Sequence, residues 1–511
     1  MILNGASSAT VEKFIALQAE AARLSDAWAR IKDYRDYYDG RHPTLLTPRQ
    51  EEFLGPILTH YGEHAVTFNL CRVVVDTLRE RLNVEGFTGE GAAGQALAQR
   101  VWQWWTASQM DARQITTHRR ALRDGKSYVI VGWNAARGMP EWVPNRAYDG
   151  DTGVTFQRDP ESGAPLLAVK YWRKTDILAA DYNALRRTVY LPGLIMRQKQ
   201  DSAADYGWGP ISASEGPAVE YWTDTLTADG QPLGLPVIEF ENPGEASEIA
   251  SIIGLQNALN KALLDLLAAT DTTGFQMLAV QYREGVFPAA TPQDDDAATT
   301  DDLRVGPGRA LELWDGTTIT RIEPGDLTQL IASVDKLVGF IAGSSRTPLY
   351  YLQPFGGAEV PSGEALKQLE SGLVSRAQER FVAFGDAWVE AARVAARLWL
   401  AMGGTGIAAN EPLRANWGSA ELRNEFTQAQ VAEKHAALDV PVEVLWERQL
   451  GYSATDVAEF KQARDAAASR RLATVLGALN SGGITEELDG AGSGGPVDGA
   501  GSATRGAGAG E

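Results

Sequence analysis

Apolar residues recur with a helical period in the first part of the chain and then give way to short β-type runs. The first predicted helix covers residues 11–38, where the apolar side chains are spaced three and four apart: Phe14, Leu17, Ala21, Leu24 and Trp28. Further helices are predicted around Phe68–Leu82 and over residues 95–123, with a Gly/Ala-rich loop at Gly89–Gly94. After residue 125 the apolar runs are separated by turn residues and predict five strands: Tyr128–Trp133, Ala168–Trp172, Arg187–Leu191, Ala218–Thr223 and Pro236–Phe240. Residues 1 to about 240 are therefore predicted to form an α+β domain.

Helices dominate the remainder of the chain. Asn242 and Pro243 are typical of a helix cap and first turn, and they predict a helix that ends near Thr273-Gly274. A mixed segment, residues 275–325, holds two strand-like pieces, and a helix over residues 326–343 follows it. A strand near Leu413–Trp417 precedes the last predicted helices, which cover residues 419–438, 441–450 and 454–480. The Gly/Ala/Ser-rich tail from residue 489 is predicted to be disordered, and the whole pattern indicates an α+β, mainly helical fold.

The longest predicted helix follows a loop that cannot be helical throughout. Ser362 is placed to cap this helix, and Gly403-Gly404 ends it. Its apolar stripe has spacings of three and four: Leu366, Leu369, Leu373, Ala377, Phe381, Phe384, Trp388, Ala391, Ala395, Leu398 and Met402. The preceding loop, residues 346–361, contains three prolines and the pair Gly356-Gly357. Loops of this length between helices are uncommon unless they are functional or disordered, and this one is rich in aromatic residues. The alternative is a loop that packs on its own core.

Composition restricts the functional classes. The chain of 511 residues is 44% hydrophobic, enough for a large core, and its net charge of −19 disfavours a protein that grips DNA through phosphate contacts. One cysteine, Cys71, excludes an intramolecular disulfide and fits a cytosolic origin, and a small buried thiol is its simplest interpretation. No apolar stretch approaches the about 20 residues of a membrane span, and no secretory signal opens the chain.

Two fragments of nucleotide-binding motifs fail in their context. Gly89–Gly94 matches the dinucleotide pattern, but the segment before it does not resemble a buried strand, and Glu90 would face a pyrophosphate. Gly125-Lys126-Ser127 matches the end of a phosphate loop, but Arg120 stands where that loop needs glycine. The order here is helix, turn, strand, so a turn that ends a helix is expected instead.

No metal, cofactor or catalytic site is predicted. His60 and His64 are four apart, but Gly62 lies between them and the segment looks irregular, so a surface pair is expected. An acidic run lacks the glycine and the spacing of a calcium loop, and its members are Asp294, Asp295, Asp296, Asp301 and Asp302. We interpret this run as a solvated loop, with a repulsive lining or a docking surface as the alternative.

The order of these segments resembles the portal proteins of tailed bacteriophages, of the siphophage type, over roughly residues 20–480. The resemblance rests on short pieces in the family's order: Tyr37–Gly40, Ala121–Val131, Leu233–Pro243 leading into the helix of Ile249–Leu267, Pro361–Leu366, Trp417, Pro441–Glu443 and Leu450–Ser453. Each piece alone is a weak signal, and their order makes the resemblance specific.

The resemblance implies a division of the chain into the parts of a portal subunit. It assigns an α+β wing to residues 1–244, stem helices to 245–273 and 326–345, and a small α/β clip to 274–325 that holds the acidic loop. It further assigns a tunnel loop to 346–361, the long helix and a return to the wing to 362–418, crown helices to 419–484 and a disordered tail to 485–511. The tunnel-loop residues expected to face the channel are Leu349, Tyr350, Tyr351, Leu352, Gln353, Phe355 and Glu359.

The function implied by the resemblance is mechanical rather than catalytic. Portal subunits form a ring of about twelve copies at one capsid vertex, through which DNA is packaged and ejected. The implied partners are the terminase large subunit, head-completion or adaptor proteins, the major capsid and scaffolding proteins, and double-stranded DNA that passes without specific binding. An acidic channel would let DNA slide with few phosphate contacts. The implied location is the virion, after assembly in the host cytoplasm, with no membrane and no cofactor.

Two other classes of protein remain as alternatives. Another virion protein, such as a capsid or adaptor protein, would need neither a clip-like insertion between helices nor a tunnel-type loop. A packaging ATPase would need an intact phosphate loop, which this sequence lacks.

Overall fold

The structure is a computed structural model, and it mixes helix and sheet as the α+β prediction requires. It describes residues 27–43, 46, 48, 51, 67–192, 194–202, 207–221, 233–274, 278–281, 318–321, 327–353, 363–421, 433–435, 437–438, 441–442, 445–446 and 454–480. The chain divides into two compact units, Met1–Arg423 and Asn424–Glu511. The predicted helix over residues 419–438, the helix over residues 441–450, the acidic loop, His60, His64 and the tail lie wholly or largely outside the described residues.

Within the part of the chain that the structure describes, four helices and a strand precede the main sheets. They are α1 (Ala27–Asp39), α2 (Leu70–Arg79), β1 (Val84–Gly89), α3 (Gly91–Ala107) and α4 (Met110–Asp124). The Asn69 side chain accepts a hydrogen bond from the Arg72 N–H and so caps α2. Gly125 ends α4 with φ of +84°, a conformation that glycine adopts without strain. The helix–turn–strand order predicted around Gly125–Ser127 is confirmed.

Twelve further strands of the described residues form four antiparallel sheets with β1. They are β2 (Lys126–Asn134), β3 (Met139–Arg146), β4 (Gly153–Arg158), β5 (Pro165–Arg173), β6 (Leu185–Leu191), β7 (Leu194–Gln200), β8 (Trp208–Pro210), β9 (Val219–Tyr221), β10 (Val237–Glu241), β11 (Leu278–Gln281) and β12 (Thr318–Arg321), joined by β13 (Leu413–Trp417). The sheets have the orders β1-β13, β10-β2-β3, β11-β12 and β4-β5-β6-β7-β8, with β9 also paired to β7. Strand predictions at 128–133, 168–172, 187–191, 236–240 and 413–417 are confirmed.

Further helices of the described residues follow in the first unit and in the second. They are α5 (Ile253–Gly274), α6 (Leu327–Ser345), the single turn α7 (Leu349–Leu352), α8 (Gly363–Ala401) and α9 (Ala454–Asn480), the last of which lies in the second unit. The 39 residues of α8 make a rod of about 58 Å. The predicted long helix is confirmed, whereas its cap Ser362 lies outside the described residues.

One main core joins α8 to the sheet β10-β2-β3 and to the first helices. Trp388 of α8 packs edge-on against Trp105 and Phe240, with ring centroids 4.8 and 4.5 Å apart. Cys71 is completely buried in the same core, as predicted. Leu369, which the predicted stripe included, is instead 53% exposed.

Three local predictions are wrong. Residues 95–123 form two helices, because Gln109 adopts φ of +56° and turns the chain between α3 and α4. Gly89–Gly94 is not a loop but the end of β1 and the first turn of α3, so a strand does precede this glycine pattern. The helix predicted after Asn242 begins only at Ile253, because Asn242 bonds across the fold instead of capping.

Candidate functional site

The loop predicted to matter most begins where α6 ends. Arg346 has φ of +49° and closes α6 with two backbone bonds, Arg346 N to Gly343 O at 3.3 Å and Thr347 N to Ala342 O at 3.1 Å. This pair of bonds is the Schellman arrangement, in which glycine is the usual residue at the left-handed position. The turn directs the chain into Pro348 and the single turn α7, so the root of the loop is ordered.

Two tyrosines of α7 hold this root against α8. The hydroxyls of Tyr350 and Tyr351 both donate to Oε1 of Glu370, the second at 2.9 Å. Arg81, just after α2, donates through Nη2 to the Tyr351 hydroxyl at 2.7 Å and to the same Glu370 oxygen at 3.0 Å. We call these four residues the latch. The latch joins three segments that are far apart in the sequence.

Burial makes the latch costlier to break than a surface ion pair. Only 2% of the Glu370 side chain and 12% of the Arg81 side chain are exposed. Burial first, and then the hydrogen bond to Glu370, raise the pKa of Tyr350 far above its usual value, so its phenol remains a donor. Removing one partner would leave a charge buried without compensation, which costs far more than losing an exposed pair.

The seven residues expected to face the channel have different surroundings in the single chain. Leu352 is 2% exposed and packs in the main core, and Leu349 is 48% exposed. Gln353 donates to Asp335 Oδ1 of α6 at 3.1 Å. Phe355 and Glu359 lie outside the described residues. Which of these side chains face a channel stays a prediction.

A second buried ionic cluster, which we call the clamp, lies beside the loop root. Glu248 accepts from Arg376 through Oε2 and from Arg380 through Oε1 at 2.6 Å. Arg376 also donates to the Ser345 carbonyl at the end of α6, and Arg380 donates through Nε to Asn242 Oδ1 at 3.2 Å. The clamp therefore ties the segment before α5 and the end of α6 to α8.

Electrostatics in the clamp favour the ionised carboxylate. Burial acts to raise the pKa of Glu248, but the guanidiniums of Arg376 and then Arg380 outweigh burial and hold this pKa below its usual range. The clamp was not predicted, yet the sequence carries a signal for it. Glu370, Arg376 and Arg380 continue the apolar row of Leu373, Ala377 and Phe384 at spacings of three and four.

The glycine pattern at residues 89–94 has a packing explanation. A Cβ on Gly89 would lie 2.2 Å from the carbonyl oxygen of Gly94, so only glycine allows β1 and α3 to approach so closely. β1 pairs antiparallel with β13, whereas a dinucleotide fold needs a parallel βαβ unit. Gly89 and Gly94 thus allow β1 and α3 to pack closely against each other.

Two buried histidines, His42 and His118, form hydrogen bonds within the fold. His118 is fully buried between Leu82 O and Trp388, and burial lowers its pKa to about 3. His42 is also buried and bonds to Tyr37 O at 2.8 Å. Within the described ranges, no group of three or more His, Cys, Asp or Glu side chains could hold a metal ion. Among the helices that the structure describes, none is long and apolar enough to cross a membrane.

Comparison with known proteins identifies a family over most of the chain. The family described as "Phage portal protein, SPP1 Gp6-like" matches residues 22–470. The portal protein of Mycobacterium phage D29 is 25% identical over 399 residues, which cover 75% of this chain and 74% of that protein. The portal protein of Mycobacterium phage L5 is 24% identical over 391 residues, which cover 73% and 72%.

Proposed function

The chain belongs to the SPP1 Gp6-like family of phage portal proteins, and from this premise we propose how its parts carry out portal function. Portal proteins are structural components of the virion, and this chain is one of them. We propose a ring of about twelve copies at one capsid vertex, which forms the channel for DNA packaging and ejection. No catalytic role is assigned to the chain itself.

The observation that best supports the proposal is the anchored loop root between α6 and α8. The latch holds Tyr350 and Tyr351 on the buried Glu370, and the chain then passes through residues 354–362 to the start of α8. A loop that must act on moving DNA needs a root that does not move with it. We therefore propose that residues 346–361 are the tunnel loop and that α5, α6 and the first part of α8 form the stem.

The remaining assignments extend this proposal. Residues 1–244 are proposed as the wing, residues 274–325 as the clip, and residues 419–484 as the crown. The clip, with Asp294–Asp296, Asp301 and Asp302, is the proposed docking surface for head-completion or adaptor proteins. The terminase large subunit supplies the work done on DNA, and capsid and scaffolding proteins meet the outer surface. The virion vertex is the proposed location, after assembly in the host cytoplasm.

Imaging of the purified full-length protein tests the ring directly. Negative-stain electron microscopy should show closed rings of one symmetry with a central hole. A chain that stays monomeric at all protein and salt concentrations, also in the presence of scaffolding protein, would contradict the proposal.

A loop replacement tests the tunnel assignment separately. Residues 354–361 are replaced by a Gly/Ser linker of equal length, which leaves the latch intact. Rings should still form, while packaged DNA per particle should fall at least tenfold. The matched control replaces residues 160–163, an exposed turn between β4 and β5, and should package normally. Loss of rings in the loop variant would instead indicate a loop needed only for assembly.

A further inference from the structure

A small polar pocket of about 190 Å³ lies at the end of α6, beside the root of the loop. Three of the residues that line it are exposed: Ser251, just before α5, and Ser344 and Arg346 at the end of α6. The clamp residues Arg376 and Arg380 also line it, and only 7% of each of their side chains is exposed. The pocket thus gathers three guanidinium groups and two hydroxyls from three segments of the chain.

Arg346 brings an uncompensated charge to this pocket. Within the described part of the chain, its guanidinium forms no hydrogen bond or ion pair, and the hydroxyls of Ser251 and Ser344 form none either. The two carboxylates that line the pocket, Glu248 and Glu379, are both paired with clamp arginines. The pocket therefore carries three positive and two negative charges, and Arg346 supplies the excess.

The backbone of Arg346 indicates that its side chain has a use other than the turn. Its φ of +49° is left-handed and unfavourable for a non-glycine residue, and glycine would close the same turn without strain. Residues held in such conformations are concentrated at active sites and ligand sites. Because no group in the described residues pairs with the guanidinium, a ligand from outside the chain is the simplest use for it.

Three carbonyl groups at the end of α6 are already paired, which lowers the repulsion that a helix C-terminus exerts on an anion. The backbone turn at Arg346 engages the carbonyls of Ala342 and Gly343. Arg376 donates to the Ser345 carbonyl and to Glu248. These bonds use two of the five N–H donors of Arg376, so further donors are left for a ligand in the pocket.

We propose that this pocket binds a phosphate group through Arg346, with Arg376 and the hydroxyls of Ser251 and Ser344 as further donors. Guanidinium groups bind phosphate through paired, charge-assisted hydrogen bonds. Donors from three segments suit a tetrahedral phosphate better than a planar carboxylate, and the pocket is smaller than those that hold drug-sized ligands. Two sources have this chemistry: free inorganic phosphate and the backbone of duplex DNA. The DNA source rests on the proposed portal channel, in which each subunit would offer one phosphate contact at the loop root.

Thermal melting of the full-length protein in inorganic phosphate is the first test. At equal pH and ionic strength, about 50 mM phosphate should raise the melting temperature of the wild type by about 2 °C over chloride. Arg346→Gly should lose this shift, since glycine fits the turn but carries no guanidinium. The matched control is Arg414→Gln, which removes one exposed positive charge from β13 and should keep the shift.

Glu379→Gln tests the same pocket in the opposite direction. The Glu379 carboxylate lines the pocket, pairs with Arg380 at 2.7 Å and is 54% exposed, so it competes with an incoming anion. Its removal should strengthen phosphate binding about threefold in a titration followed by the melting temperature. This variant changes an exposed side chain, so it still tests the pocket if Arg346→Gly fails to fold.

Binding of a fluorescein-labelled duplex of about 20 base pairs distinguishes the two sources of phosphate. If the ligand is DNA, Arg346→Gly should weaken duplex binding about threefold and should flatten its dependence on salt, because fewer counterions are released. If the ligand is free phosphate, both proteins should bind the duplex equally, while only the wild type responds to inorganic phosphate.

Three outcomes would overturn the inference. An equal phosphate response of the wild type and Arg346→Gly would exclude the site, and so would an unchanged affinity for phosphate in Glu379→Gln. Loss of rings in Arg346→Gly, seen by negative-stain microscopy, would mean that Arg346 binds a carboxylate of a neighbouring subunit instead. A wild-type chain that forms no ring under any condition would contradict the proposed function and with it the DNA source, whereas the response to inorganic phosphate is measured independently of rings.

Discussion

Trp388 of α8 donates its indole N–H to Nε2 of His118 on α4, at 3.0 Å, inside the main core. The other ring nitrogen of His118 lies 3.1 Å from Leu82 O, so Nδ1 carries the proton and donates there. Phe384 stacks on the same imidazole, with ring centroids 5.5 Å apart. A neutral histidine thus joins the long helix to the first helices and the turn before β1.

This neutral histidine predicts a loss of stability in mild acid. Burial lowers the pKa of His118 to about 3, whereas the unfolded chain has a histidine pKa of about 6.5. As the pH falls below about 6.5, the unfolded state takes up a proton that the folded state does not. The free energy of unfolding therefore falls by up to about 1.4 kcal/mol per pH unit until the pH reaches the pKa of the folded state. Urea unfolding between pH 7 and pH 4 measures this slope.

His118→Gln is the matched variant, because glutamine keeps one donor and one acceptor but does not titrate in this range. The variant should lose part of the wild-type slope between pH 6.5 and pH 4. Equal slopes in the two proteins would show that His118 does not account for the acid sensitivity.

A second prediction follows from the close contact between Gly89 and Gly94. Gly89→Ala places a methyl group 2.2 Å from a backbone oxygen, and it should lower the free energy of unfolding by about 3 kcal/mol. The matched control is Gly254→Ala in α5, where the new Cβ meets nothing within 4 Å. That control should raise stability by about 0.5–1 kcal/mol, because alanine is the better helix former. A tolerated Gly89→Ala would contradict the packing explanation.

Runs of β-branched and aromatic residues were sufficient to predict β2, β5, β6 and β10. The strand β1 was missed because Glu85 and Gly86 interrupt its apolar pattern, and its partner β13 lies more than 300 residues away in the sequence. Asn242 shows that the prediction of helix caps from local sequence is limited in the same way. Its local sequence favours a helix start, but its side chain bonds to Arg380 and to Ala246 O at 2.7 Å. Tertiary bonds overrode the local preference in both cases.

The candidate site was predictable only in part for the same reason. The prolines and paired glycines of residues 346–361 predicted the loop, and Tyr350 and Tyr351 were identified within it. Glu370 and Arg81 were not, because their role appears only when distant segments are brought together. A charged residue on the buried row of a predicted helix is the signal that could have indicated Glu370.

The left-handed backbone at Arg346 predicts a tolerance for glycine. Left-handed φ costs a non-glycine residue roughly 1–2 kcal/mol. Arg346→Gly should therefore unfold at the same or a slightly higher urea concentration, with a gain of up to about 1 kcal/mol. Arg346→Val should lose about 1–2 kcal/mol, since a β-branched side chain fits this conformation worst. A marked loss in Arg346→Gly would mean that the arginine side chain, rather than the backbone, holds the turn.

The latch predicts that the loop root and the fold depend on one carboxylate. Glu370→Gln leaves the Arg81 charge nearly buried without compensation and should lower the free energy of unfolding by about 3 kcal/mol. Tyr351→Phe removes one hydroxyl and should cost only about 1 kcal/mol, since Tyr350 still donates to Glu370. Arg81→Met combined with Glu370→Gln removes both charges and should recover part of the loss.

Urea unfolding gives the free energies of unfolding of the three variants, and limited proteolysis shows where the chain opens. Cleavage within residues 346–362 should rise in Glu370→Gln, while cleavage at the turn of residues 160–163 stays as in the wild type. Equal cleavage of the loop in both proteins would show that the latch stabilises the fold without fixing the loop.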